Sequence, residues 1–202
     1  MDLFAFDKFF YCKGLKFVAG IDEAGRGPLA GPVVASTVIL PKNCLIDDLN
    51  DSKKLSPKKR DLLFKIIKEK ALFYTVSIVD NYIIDKINIL QATLLAMKNS
   101  VLQLEIKPDI CLIDGNCKIK DLDIAQETIV GGDGKSAAIA AASILAKVTR
   151  DNLMDEYAKR YPLYGFDKHK GYGTKKHIEA INQHGVCPIH RMSFAPICNM
   201  HN

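Results

Sequence analysis

Phe17-Val18-Ala19-Gly20-Ile21-Asp22-Glu23-Ala24-Gly25-Arg26-Gly27-Pro28-Leu29-Ala30-Gly31-Pro32 begins as a short apolar run and then meets two adjacent carboxylates. A run of this length bounded by glycines predicts a buried strand rather than a helix. Successive strand side chains point to opposite faces, so Asp22 and Glu23 could not serve one site from within regular strand. Asp22 is therefore expected to close the strand. Glu23 would sit where the chain leaves the sheet, offering its carboxylate or its carbonyl to the same centre. Gly25 and Gly27 follow, where backbone without Cβ can take positive φ or approach a ligand, and Arg26 between them suits phosphate. These are the parts of a metal-and-phosphate edge. A turn built from acidic residues and glycine is the plain alternative from this stretch alone.

Past the glycine turn, Val33 to Leu40 is rich in β-branched residues and stops at Pro41, which predicts a second strand paired with the first as a hairpin. Asp51-Ser52-Lys53-Lys54-Leu55 reads as a polar loop. Ser56-Pro57 then starts a helix, with Ser56 as N-cap, Pro57 in the first turn, and Leu62, Leu63, Ile66 and Ile67 as its buried stripe. Leu72 to Val79 predicts the third strand. Leu90, Leu94, Met97, Val101 and Leu104 recur at helical spacing, so Ile87 to Glu105 reads as one amphipathic helix ended by Pro108, its Met and Leu stripe serving the core.

Ile110 to Gly115 is a fourth strand, apolar until Asp114, and a carboxylate at the C-terminal end of a buried strand is where open α/β sheets hold their chemistry. Ile124 to Val130 is a short fifth strand. Gly131-Gly132-Asp133-Gly134-Lys135-Ser136 leads from it into a long alanine-rich helix, from Ser136 to about Tyr161. This stretch has the outline of a phosphate-binding P-loop, but Ile129 stands where that pattern needs its first glycine, and an aspartate inside the loop would repel phosphate. Asp133 fits better as a further carboxylate at the start of the helix. Ser143, Lys147 and Arg150 share one polar flank of it. After Tyr161-Pro162 breaks the helix, basic residues from Lys168 to His177 surround Tyr172 between two glycines, a surface able to neutralise phosphates while the tyrosine stacks on a sugar or base. A final short helix is expected from about Thr174 to His184.

The 48% hydrophobic and 25% charged content of the 202 residues is that of an ordinary globular protein, which argues against disorder. No repeat, low-complexity tract or linker interrupts the chain, so one domain over 1–202 is expected, with a lead-in over 1–16 that can pack as a helix and a helical cap over about 162–202. No membrane span and no basic leader segment is visible, and a cytoplasmic monomer is the expectation. Six cysteines without Cys-x-x-Cys spacing indicate neither zinc nor a disulfide framework. The net charge of +5 permits a polyanionic partner without demanding one.

Asp22, Glu23, Asp114 and Asp133 come together at strand and loop ends with no histidine or cysteine among them. An all-oxygen set selects hard cations such as Mg²⁺ or Mn²⁺. Like charges gathered in one place repel unless divalent cations neutralise them, and a two-metal carboxylate centre suits phosphodiester hydrolysis. Carboxylates and basic loops together point to a metal-dependent nuclease. A nucleic-acid-binding module with a merely structural acidic cluster is the competing reading.

DEAGRGPLAGPVV at 22–34, DSKKLS at 51–56, IDG at 113–115, GGDGKS at 131–136, AASILAKVTRD at 141–151, HKGYGT at 169–174 and HRMSFAP at 190–196 together resemble the type 2 ribonucleases H, the ribonuclease HII family. The resemblance runs from about residue 17 to near the end of the chain. It implies a ribonuclease H-like α/β fold: a mixed five-stranded sheet flanked by helices, with a helical C-terminal extension. It also implies endonucleolytic cleavage of the RNA strand of RNA–DNA hybrids and of duplex DNA at embedded ribonucleotides, leaving 5′-phosphate and 3′-hydroxyl ends. By the same resemblance Asp22, Glu23, Asp114 and Asp133 are the catalytic, metal-binding acids, with two Mn²⁺ or Mg²⁺ ions during catalysis. Gly25, Arg26 and Gly27 match the loop whose backbone reads the 2′-hydroxyl, which distinguishes RNA from DNA. Tyr172 matches a tyrosine that stacks on the neighbouring sugar, and Lys53 and Lys147 are chosen as phosphate contacts. Gly134 departs from the pattern, since serine is expected there.

Overall fold

The computed structural model describes residues 3–200, so the outermost two positions at each end of the expected 1–202 domain lie outside the described residues. Five strands form one mixed sheet in the order β3-β2-β1-β4-β5: β1 (Val18–Ala24), β2 (Val33–Ile39), β3 (Phe73–Val79), β4 (Ile110–Asp114) and β5 (Ala125–Ile129). β1 pairs antiparallel with β2 and parallel with β4, β2 pairs antiparallel with β3, and β4 parallel with β5. The central strands carry apolar residues on both faces because helices cover both. On one face α3 (Asn81–Ile87) and α4 (Ile89–Leu102) cover Ala19, Ile21, Ala35 and Ile113. On the other, α1 (Leu3–Cys12), α2 (Pro57–Lys70) and α5 (Ala137–Arg160) cover Val18, Val38 and Leu112. No helix among the described residues is long and apolar enough to cross a membrane.

The local rules hold where a single residue decides them. The Ser56 hydroxyl accepts from Lys59 N and Pro57 opens α2, while Thr174 caps α7 (Lys175–His184) by accepting from His177 N. Three expectations are corrected. The helix expected over Ile87 to Glu105 is two: Asp80 caps α3, Asn88 at φ +66° turns the chain and caps α4, and α4 stops at Leu102, well before Pro108. Leu62 and Leu90 are exposed, because α2 and α4 each press a narrower stripe on the sheet, and on α4 that stripe is Ala92, Ala96, Met97 and Val101. The first strand continues two residues past Asp22 because β2 keeps pairing with it as far as Ala24, whereas the register with β4 ends at Ile21.

α5 decides how the sheet presents its carboxylates. Ala137, Ala138, Ala140, Ala141 and Ala142 are all buried, and alanine favours helix while keeping the helix surface low. The helix therefore lies directly on β1. A Cβ on Gly20 would fall 2.1 Å from the backbone carbon of Ala138 and 2.3 Å from Ile139 N. The N-terminus of α5 is held twice, by Ser136 Oγ accepting from Ile139 N and by Asp7 Oδ2 of α1 accepting from Ala138 N at 2.8 Å. Burial pushes the Asp7 carboxyl up to about 6, against the opposing hydrogen bonds from Ser136, Ala138 and Ala137. Within the lead-in expected over 1–16, Leu3–Cys12 is thus a helix that anchors α5. Beyond α5, Pro162–Tyr164, α6 (Phe166–His169) and α7 fold back over the β1–β2 loop, burying Leu29 and Ala30 with Met154, Phe166 and Ile181.

Candidate active site

Asp22 and Asp114 lie on neighbouring parallel strands one step beyond the last paired residues, Ile21 and Ile113. The register therefore sets them side by side on the α5 face. Asp133 reaches them from the short 3-10 turn Gly132–Gly134 ahead of α5, where Gly132 N donates to Asp114 Oδ1 at 2.7 Å and ties the turn to β4. Glu23 is still in strand, so its side chain leaves in a different direction from Asp22. The two are joined instead by Glu23 N donating to Asp22 Oδ1 at 2.7 Å, and Arg26 Nη1 stands 3.4 Å from Glu23 Oε1.

Asp114 acts through space on each of the other three acids. Burial raises Asp22 well above the usual carboxylate range, and the charges of Glu23 and Asp114 add to it. Burial likewise raises Glu23 against the pull of Arg26, with Asp114 adding to the rise. Asp133 is raised by burial and then by Asp51 and Asp114. At Lys53 burial works downward, yet the summed fields of Asp133, Asp22, Asp51 and Asp114 leave its pKa raised. Its ammonium lies 3.6 Å from Asp133 Oδ2, beyond hydrogen-bonding length, and that buried oxygen has no hydrogen-bond partner. No group of three or more His, Cys, Asp or Glu side chains among the described residues is gathered tightly enough to hold an ion as it stands. The residues nonetheless fit a hard divalent cation: every donor is an oxygen, one is buried without a hydrogen-bond partner, and the charge of Asp114 already opposes those of the other three.

Glu23, Arg26, Gly27, Lys53, Lys147 and Tyr172 all line one pocket of ≈ 270 Å³ beside these acids. A larger hollow of ≈ 590 Å³ lies at the opposite ends of β4 and β5, around Asp109 and Asp123. The chemistry follows the strand C-termini, not the volume. Gly25 has φ +98°, and a Cβ there would meet Arg150 Nε at 2.1 Å, so glycine is required on both counts. Gly27 carries no such constraint, since its added Cβ would only touch Tyr172 at 3.5 Å. Tyr172 is 46% exposed, which leaves its ring free to stack. Lys147 is already paired with Asp151 at 2.8 Å.

Two features of the polar flank on α5 depart from expectation. Arg150 is not a surface residue: it is buried and donates to the carbonyls of Pro32, Ala30 and Lys170, bracing the β1–β2 loop against the Tyr172 segment. Ser143 is buried too, bonded to Ser52 at 2.9 Å and to Asp22, where its hydrogen bond opposes part of that carboxyl's upward shift. Tyr172 in turn is held by histidines. Cys187 N donates to His190 Nδ1 at 2.8 Å, the two Nε2 atoms of His190 and His177 are 3.1 Å apart, and His177 Nδ1 is 2.9 Å from Tyr172 O. Only one assignment of protons satisfies all three contacts: neutral His190 donates from Nε2 to His177, and neutral His177 donates from Nδ1 to the tyrosine carbonyl.

The sequence reading missed Asp51, which stands beside Asp133, and Arg191, which is fully buried under the Gly25–Gly27 loop. DSKKLS contained a signal for the first, an acid two residues ahead of a lysine already chosen as a site residue. Nothing in HRMSFAP marks its arginine as buried.

A mixed sheet of this order, with acids on its two central parallel strands and a third at the head of the helix crossing them, defines a ribonuclease H-like protein. Comparisons agree. The ribonuclease H2 of Pyrococcus horikoshii OT3 superposes with a TM-score of 0.77 at 27% identity, over 91% of this chain and 96% of that one. A ribonuclease HIII solved in complex with Mn²⁺ superposes at 0.75 and 18% identity, over 91% of this chain and 68% of that one, and so speaks for the fold alone. The model of the family described as Ribonuclease HII matches residues 19–197. A curated ribonuclease HII of Endomicrobium trichonymphae is 67% identical over 196 residues, covering 97% of this chain and 93% of its own. Another, from Acetivibrio thermocellus, is 56% identical and covers 96% and 75%. The chain belongs to the ribonuclease HII family and is an enzyme, a hydrolase of the ribonuclease H class.

Proposed function

We propose that this enzyme incises the RNA strand of RNA–DNA hybrids and also duplex DNA at single embedded ribonucleotides, using Mg²⁺ or Mn²⁺ held by Asp22, Glu23, Asp114 and Asp133. The observation that carries this reading is the acid cluster itself: three carboxyls raised by burial and each raised further by the charge of Asp114, and a buried Asp133 oxygen without a hydrogen-bond partner. Divalent ions held by these four acids would supply the Lewis acidity that favours attack by water and departure of the leaving oxygen. The chain's own residues orient the strand. The Gly25–Gly27 backbone faces the ribose, the Tyr172 ring stacks on the adjoining sugar, and Lys53 and Lys147 at the pocket wall neutralise phosphate oxygens. A water oxygen bonds to phosphorus and the bond to the 3′-oxygen breaks. That oxygen takes up a proton and leaves as the 3′-hydroxyl, and the phosphate stays on the 5′ end of the downstream fragment.

The test is incision of a labelled duplex carrying one ribonucleotide, and of a hybrid, with Mg²⁺, Mn²⁺ or chelator. Metal-dependent cutting on the 5′ side of the ribonucleotide is expected. Asp22→Asn and Asp114→Asn should lower turnover on the order of a thousandfold while leaving hybrid binding largely intact, because the lysine and tyrosine contacts remain. Wild-type turnover in either variant would remove the acid cluster from the chemistry. Binding without metal-dependent incision would favour a non-catalytic module.

A further inference from the structure

Arg191 is fully buried, and no ion pair to a carboxylate forms at it among the described residues. All of its hydrogen bonds go to main chain. Nη2 donates to Gly25 O at 2.6 Å, Nη1 to Arg26 O at 2.9 Å and Nε to Gly31 O at 3.0 Å, while its own N–H donates to Leu29 O at 2.8 Å. The ring of Phe194 lies 5.0 Å from the guanidinium carbon and holds it in place. Burying an arginine without a carboxylate partner is costly. Packing alone would have been met by an apolar side chain of similar size.

The peptide unit is planar and trans, so the C=O of one residue and the N–H of the next point in opposite directions. With the carbonyls of Gly25 and Arg26 drawn inward onto Arg191, the amide hydrogens of Arg26 and Gly27 point outward. The same loop residues line the pocket with Tyr172. Neither amide has an acceptor among the described residues. A cation bonded to the carbonyl end of a peptide also polarises its N–H into a stronger donor.

We propose that Arg191 is a positioning residue for ribose recognition: by fixing the Gly25 and Arg26 carbonyls it aims the Arg26 and Gly27 amides at the ribonucleotide 2′-oxygen. The assignment rests on the ribonucleotide-directed activity proposed above. Lysine cannot replace the arginine, because its single point of charge cannot hold carbonyls at three separate directions.

The experiment measures the affinities of wild type, Arg191→Lys and Arg191→Gln, in chelator so that nothing is cut, for a duplex with one ribonucleotide and for the same duplex in all-DNA form. Wild type should prefer the ribonucleotide duplex. Both variants should lose roughly tenfold of that preference, the worth of two misdirected hydrogen bonds, with all-DNA affinity unchanged. A variant that keeps the preference, or that loses affinity equally for both duplexes, overturns the inference, the second result marking a phosphate contact or a general structural role. Should both variants unfold, Gly27→Pro removes one of the two amide hydrogens at an exposed position, and Gly27→Ala keeps it. Loss of preference in the proline variant alone is expected, and equal preference in the two overturns the inference. Failure of the wild type to incise the ribonucleotide duplex with metal would instead sink the function proposed above.

Discussion

Gly20→Ala places one methyl group between the central strand and the helix that crosses it. The added Cβ would lie 2.1 Å from Ala138 C, 2.3 Å from Ile139 N and 2.5 Å from Ala138 O, where ordinary contact begins at 3.4 Å. All three are backbone atoms, so no rotamer change relieves the overlap, and α5 must retreat from β1 by about 1 Å. Overpacking of this kind costs about 3 kcal/mol, which for a chain of this size lowers the unfolding midpoint by roughly 6–12 °C. The same retreat moves Asp133, just ahead of α5, and Ser143, on α5, away from Asp22 on β1. A misplacement of about 1 Å costs on the order of a hundredfold in rate. Thermal unfolding and single-turnover cleavage of a hybrid measure the two effects. Wild-type values for both would refute the claim that Gly20 sets the distance between helix and strand. A lowered midpoint with an unchanged rate would refute its link to the carboxylates. Restoration by Ala138→Gly would also count against it, since the clash is with backbone and not with the alanine methyl.

The histidine relay makes the C-terminal cap sensitive to acid. His177 is pushed down to about 4, first by burial, so below its ordinary value of 6.5 the unfolded chain binds a proton that the folded chain refuses. Stability from this residue is complete above pH 6.5 and falls by up to about 3 kcal/mol as the pH drops towards 4. Asp7, raised to about 6, works in the opposite sense over much of that window. The measurement is therefore the difference in urea midpoint between wild type and His177→Gln from pH 7 to 4.5, and a difference that does not change with pH would refute the relay. Tyr172→Ala should lower kcat/KM on a single embedded ribonucleotide by roughly tenfold or more, the worth of one stacking contact, while the unfolding midpoint of this half-exposed position shifts little. Equal activity of variant and wild type on that substrate would take the tyrosine out of the site.

Patterns local to the chain were legible in the sequence. Hydrophobic runs with turn signals on either side placed five strands, Ser56, Ser136 and Thr174 marked three helix starts, Asp22 and Asp114 were picked out because each follows an apolar strand run, and Asp133 because it stands at the head of the long helix. These features follow from residues a few positions apart, whose periodicity and capping chemistry are written along the chain. What failed were local patterns that another element overrode. Asp22 did not close its strand, since β2 goes on pairing on one side after β4 has stopped, and Leu90 lay on a helical stripe that the sheet does not touch.

Other roles were settled only by tertiary structure, because they depend on elements far apart in sequence arriving at one place. Gly20 looked like one more small residue in a strand until α5, more than a hundred residues later, was laid against it. Arg150 and Arg191 carry the charge of surface residues, and composition cannot show that carbonyls of the β1–β2 loop would draw them inside. Asp51 joined Asp133, and His190 and His177 came to hold Tyr172, through contacts between separate segments. A residue's charge and size are fixed by its identity, but its partners are fixed by the packing of the whole chain, and in this site the partners decide what each residue does.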